Sequence, residues 1–161
     1  MSAIRCGRTE RRSIRRLKAW RVSPARTLED ACRSTSAGRW SWASRPVLYA
    51  SSTPELAALE ALAHRAENDA THWLCVVEVP GVETGTRVKG LPKDWRLQRS
   101  LTRALGNRWF DRMSSPVLLV PSALCDEGTN VLVNPCHRRA SGLRMQVVRR
   151  FDFDRRLLRG A

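Results

Sequence analysis

The stretch from Val47 to Glu55 constrains the fold more than any other part of the chain. Val47 to Ala50 is a short β-rich run, and Ser51-Ser52-Thr53-Pro54-Glu55 closes it with helix-start chemistry. Ser52 and Glu55 have the spacing of a capping box, and Pro54 suits a first helical turn, where a missing N–H costs nothing. A strand therefore passes directly into a helix. Leu56, Leu59 and Ala63 then recur at helical spacing as an inward stripe that fades at Asn68-Asp69. Glu60 sits at the edge of that stripe, a carboxylate beside an apolar face.

Further elements follow the same signals. Trp73 to Val79 reads as a strand by its β-branched content, stopped by Pro80-Gly81. Glu83 to Lys93 reads as loop with room for a short strand. Leu101, Leu105 and Trp109 recur every four residues across Gln98 to Met113, which predicts a second amphipathic helix with Gly106 as its weak point. Val117 to Val120, Asn130 to Val133 and Met145 to Phe151 are three more strands. A chain of 161 residues supports one core. Strands and helices in uneven order make it α+β, with the domain beginning near Leu17.

Charge sets the second constraint, because 29 Lys and Arg against 15 Asp and Glu leave a net +14. Residues 1 to 16 carry +5 of it and residues 149 to 159 carry +3. The chain thus divides into a basic extension, 1–16, and a domain, 17–161. Two readings of the basic ends stay open: solvated tails, or a non-specific grip on nucleic acid. No apolar run approaches the ~18 residues of a membrane span. The first sixteen residues lack an apolar core behind their arginines, so no secretory signal is expected and the cytoplasm is the expected compartment. Five cysteines without a C-x-x-C pair, and three histidines without ligand spacing, point to neither zinc nor disulfides. No metal is expected, and Cys75 reads as a small buried apolar residue.

Signatures such as G-x-S-x-G, the phosphate-binding P-loop and G-x-G-x-x-G after a strand are absent from the sequence. What remains is an ordered set of short pieces: Trp20-Arg21, Gly38-Arg39-Trp40, Val47-Leu48-Tyr49-Ala50-Ser51, Leu59-Glu60-Ala61-Leu62, Leu105-Gly106 with Trp109, Val120-Pro121-Ser122-Ala123, and Asn130 to Pro135. In order and spacing, from about Ala19 to Asp152, this set resembles the RES-domain family, the toxin half of bacterial RES/Xre toxin–antitoxin pairs.

The resemblance implies an ADP-ribosyltransferase-like α+β domain, its central and mostly antiparallel sheet flanked by helices, that cleaves NAD at the nicotinamide–ribose bond. ADP-ribose would pass to water, phosphate or a protein, and an Xre-like antitoxin would hold the enzyme inactive. NAD is then substrate, with no prosthetic group. Arg39, Tyr49 and Glu60 match the central site, with Arg21, Ser122 and Asn134 as supporting members.

The residue chemistry suits that reaction. Loss of nicotinamide builds oxocarbenium character on the ribose, which a carboxylate such as Glu60 stabilises. Arg39 and Arg21 offer forked donors for pyrophosphate or ribose oxygens. Tyr49 can stack on nicotinamide, while Ser122 and Asn134 can hydrogen-bond its amide or the ribose. Taken singly, each residue has an ordinary reading: Glu60 a solvated helix carboxylate, Tyr49 core, Arg39 a surface cation, Ser122 and Asn134 turn residues. Trp40 and Trp42 could flank a ligand or form one face of a strand. The competing function is a basic nucleic-acid-binding or ribonuclease-type toxin module, favoured by the +14 charge and six Trp.

Overall fold

A computed structural model describes residues 16–33, 37–64 and 70–158. The extension 1–15, the Asn68-Asp69 boundary and the last three residues lie outside the described residues. The elements are β1 (Arg16–Ser23), α1 (Leu28–Cys32), β2 (Leu48–Ser51), α2 (Pro54–Ala63), β3 (His72–Pro80), β4 (Thr86–Arg87), α3 (Arg99–Arg112), β5 (Val117–Pro121), β6 (Thr129–Val133) and β7 (Arg144–Phe151). Among the described residues the strands form one sheet in the order β4-β5-β6-β2-β1-β3-β7. Every neighbouring pair is antiparallel except β4 with β5. This is the α+β architecture expected, with a mostly antiparallel sheet flanked by helices.

Alternation along the strands splits the core into two faces. Leu17, Ala19, Leu48, Ala50, Val77 and Val131 point to one face, which α1 covers through Ala31. On the other, α3 brings Trp109 and Phe110 onto Leu118, Val120 and Leu132 beside Trp40 and Trp95. Farther along that face α2 sets Ala57 against Val22 and Leu74.

Several local expectations need correction. β1 is a central strand, and its arginines and lysine hide it: Arg16, Lys18 and Arg21 interrupt any β-branched run, yet Leu17 and Ala19 are buried. Across the sheet Glu78 answers the first two cations, at 3.1 Å from Arg16 and 3.8 Å from Lys18. The strand begins at Arg16, one residue inside the segment assigned to the extension.

The cap of α2 is Thr53, not Ser52, because the Ser52 N–H still donates to the Thr129 carbonyl and continues the β2–β6 ladder. Thr53 Oγ1 accepts from the Leu56 N–H at 3.2 Å instead. On that helix Leu56 and Ala57 are buried while Leu59 and Ala63 are exposed. A helix apolar on nearly every side does not announce which face it buries, so the stripe assigned by spacing is rotated.

Gly106, the weak point of the second helix by propensity, is its closest contact. A Cβ there would stand 1.8 Å from the Trp40 carbonyl oxygen, so only glycine lets α3 lie against that backbone. The neighbouring turns of α3 bind the same segment. Thr102 Oγ1 donates to the Arg39 carbonyl at 2.8 Å, Arg103 Nε donates to the Gly38 carbonyl at 3.0 Å, and Asn107 Oδ1 accepts from the Trp42 N–H at 3.4 Å. Helix α3 is thus a clamp on residues 38–42. Gly106→Ala should lower stability by about 1–3 kcal/mol, the scale of core overpacking, read as a lower urea midpoint at unchanged slope. An unchanged midpoint would show that α3 can retreat from Trp40 freely.

Candidate active site

β1 and β2 touch through a single residue pair, Trp20 with Ser51. Beyond it the ladder stops, and the Arg21 side chain spans the opening: Nη1 donates to the Tyr49 carbonyl at 2.6 Å and Nε to Ser23 Oγ at 3.2 Å. Burial pulls the Arg21 guanidinium below its usual pKa, but an arginine stays charged at any working pH. A cleft of about 740 Å³ lies on the α2 and α3 side of this opening, and Arg21, Arg39, Tyr49, Glu60, Arg99 and Asn130 are among the residues lining it.

Tyr49 and Ser51 alternate to the cleft side of β2, opposite to Leu48 and Ala50, which belong to the core under α1. The Tyr49 hydroxyl accepts from the Trp40 N–H at 3.2 Å and shares a 2.9 Å hydrogen bond with Ser41 Oγ. Burial holds that hydroxyl above the ordinary phenol range, against the opposing effect of those hydrogen bonds. Gly38 permits the contact, since a Cβ there would lie 2.3 Å from the hydroxyl oxygen. In Gly38-Arg39-Trp40, then, the glycine admits Tyr49 and the tryptophan is core against Trp95, with ring centroids 5.8 Å apart. Trp42 is exposed and sits under the Arg103 guanidinium, so Trp40 and Trp42 do not sandwich a common ligand.

Glu60 leaves α2 toward the cleft and is held from two sides. Its Oε1 accepts from Ser122 Oγ at 2.8 Å and from Asn130 Nδ2 at 2.5 Å. Asn130 is itself oriented by Ser51, whose hydroxyl donates to Oδ1 at 2.8 Å across the β2–β6 register. Ser122 is fully buried and also accepts from the Leu124 and Cys125 N–H groups. Both side-chain donors converge on Oε1, and Oε2 has no hydrogen bond among the described residues.

Arg39 completes the set. Its Nη1 donates to the Arg96 carbonyl at 2.7 Å, and its guanidinium lies 5.7 Å from the Trp95 ring centre. Desolvation, and next to it the Arg99 cation, pull Arg39 below its usual pKa, while Glu60 pushes the other way. A clamped cation and a clamped carboxylate therefore sense each other in one cleft. Arg99 joins them, although no sequence signal distinguished it from the other α3 arginines.

Five of the six residues singled out in the sequence thus meet at the cleft. Arg21, Arg39, Tyr49 and Glu60 line it, and Ser122 stands behind Glu60 as a positioning group. Asn134 does not. It is fully buried, its Nδ2 directed at Met113 Sδ and the Phe110 carbonyl and its Oδ1 accepting from the Cys136 N–H. That side chain ties the end of β6 to the end of α3. The asparagine at the site is Asn130, four strand residues or about 13 Å away. Its signal was the β2–β6 pairing, because Asn130 faces Ser51 only once the two strands are in register. Among the described residues no three His, Cys, Asp or Glu side chains gather as a metal site.

The chain is 37% identical over 132 residues to "Toxin Res" of Pseudomonas putida, covering 80% of this chain and 91% of that protein. It is 31% identical over 157 residues to the "Prs ADP-ribosylating toxin" of Sphingobium sp., covering 88% and 97%. In three dimensions it is similar to a chain of the M. tuberculosis MbcT-MbcA toxin-antitoxin complex, with a TM-score of 0.64 at 19% identity over 88% of this chain and 86% of that one. The RES domain model matches residues 18–156, nearly the whole described fold, and the chain belongs to the RES domain family.

Proposed function

We propose that this protein is the toxin of a cytoplasmic toxin–antitoxin pair and cleaves NAD at the nicotinamide–ribose bond. The observation that carries the reading is Glu60, a carboxylate fixed through Oε1 with Oε2 left to the cleft, opposite a fixed arginine. Relatives that cover most of the chain and bear the names of toxins, one of them ADP-ribosylating, support it.

As the bond from ribose C1′ to the nicotinamide nitrogen breaks, its electron pair leaves with nicotinamide and positive charge builds on the ribose. A preoriented carboxylate stabilises that charge without reorganising. Arg39 and Arg21 bind pyrophosphate or ribose oxygens, and the Tyr49 ring packs on nicotinamide. ADP-ribose then passes to water, phosphate or a protein nucleophile, which loses a proton as the new bond to C1′ forms.

Glu60→Gln keeps the shape and removes the negative charge. Nicotinamide release should fall at least ~100-fold, with NAD affinity changing far less. A merely solvated glutamate would shift stability by about 0.5 kcal/mol and leave turnover near wild type. Arg39→Ala should weaken both binding and turnover, because its contacts already exist in the ground state.

A free NAD-degrading enzyme would poison its own cell, so the reading includes an antitoxin, Xre-like, whose acidic groups cover the cleft near Arg39 and Glu60. Expression alone should arrest growth and co-expression of the cognate antitoxin should restore it. Normal growth with abundant folded protein would count against a toxin.

The second reading, nucleic-acid binding, rests on the six arginines of residues 1 to 16. Deleting residues 1–15 spares β1 and should weaken DNA or RNA retention while leaving nicotinamide release intact. Loss of NAD cleavage in a folded truncated protein would show that the extension belongs to the enzyme.

A further inference from the structure

The far end of the cleft has a different chemistry from the end at Glu60. Trp20 pairs with Ser51, which orients Asn130 on Glu60, and on its other side Trp20 pairs with Val76 of β3. His72 lies four residues from Val76 along β3, on the order of 13 Å from that level. It alternates to the same face as Leu74, under α2, and lines the cleft together with Val22, Pro24, Ala61 and His64. The walls there are largely apolar, whereas the fixed cation Arg39 lies by Glu60. A dinucleotide with its reactive ribose at Glu60 has its second base at such a distance, beyond the pyrophosphate linker.

His72 is held in one orientation. Nδ1 lies 2.7 Å from the Ala70 carbonyl oxygen, and the ring packs edge-on against Phe153 with centroids 5.4 Å apart. A carbonyl oxygen only accepts, so Nδ1 carries the proton and Nε2 of the neutral ring is an acceptor. No hydrogen bond engages Nε2 among the described residues.

We propose that His72 reads the second base of the substrate as adenine, its Nε2 accepting a hydrogen bond from the exocyclic amino group while Val22 and Ala61 cover the ring. The assignment rests on NAD being the substrate. Adenine presents an amino donor at position 6, where hypoxanthine presents a carbonyl oxygen. Against His72 that oxygen sets acceptor against acceptor, so the hydrogen bond is lost and Nε2 is left desolvated.

The test compares kcat/KM for NAD and for nicotinamide hypoxanthine dinucleotide at one fixed, mildly alkaline pH. The wild-type protein should favour NAD on the order of tenfold. His72→Phe keeps an aromatic edge on Phe153 and removes both nitrogens, and the preference should fall to within about twofold. Because each preference is a ratio measured on one preparation, partial unfolding of the variant cancels. A wild-type protein indifferent to the base, or a His72→Phe protein with undiminished preference, would overturn the assignment. Release of nicotinamide from neither dinucleotide by the wild-type protein would instead overturn the underlying reaction, and this inference with it.

Discussion

The sheet holds together across its weakest junction through one arginine side chain. Between β1 and β2 only Trp20 and Ser51 pair, and where backbone ladder bonds would otherwise run, Arg21 donates to the Tyr49 carbonyl. A fully laddered β1–β2 pair would close the floor of the cleft. An unfilled gap would leave backbone carbonyls without partners in a buried setting. Arg21 satisfies both demands, and its burial there pulls the guanidinium below its usual pKa.

Around that opening the two helices divide the work. α2 follows β2 after two residues, so Glu60 is delivered close to the strand that carries Tyr49 and Ser51. α3 contributes a surface shaped to residues 38–42: glycine against the Trp40 carbonyl, and Thr102, Arg103 and Asn107 on the flanking backbone groups. Arg39 therefore projects from an irregular segment with the rigidity of a helix. Its cation and the Glu60 carboxylate come from distant parts of the chain, and packing rather than sequence proximity sets their relation.

Much of this was legible locally. Strands β3, β5, β6 and β7, helix α3 and the strand-to-helix switch at Pro54 follow from β-branched runs, fourfold spacing and proline, whereas the two residues of β4 lie in a stretch that reads as loop with room for a short strand. β1 is not legible in sequence because its alternation mixes apolar residues with Arg and Lys, which read as surface until Glu78 is placed across the sheet. Ser52 reads as the cap in sequence because its ladder bond to Thr129 is not visible within one segment. By spacing alone Glu60 is a carboxylate at the edge of an apolar stripe, and its place in the site comes from the resemblance carried by Leu59-Glu60-Ala61-Leu62; the true face of α2 is turned from the one the spacing suggests.

The choice between Asn130 and Asn134 marks the boundary between the two kinds of information. The sequence by itself determined that a strand carries an asparagine at each end, that residues 38–40 pair a glycine with an arginine, and that a serine follows Pro121. These are local patterns, set by side-chain chemistry and periods of two or 3.6 residues. Only the tertiary structure decided which asparagine serves the cleft. That depends on the register of β6 on β2, which sets Asn130 beside Ser51 and within reach of Glu60, while the far end of the strand, with Asn134, is carried into the core beside Met113.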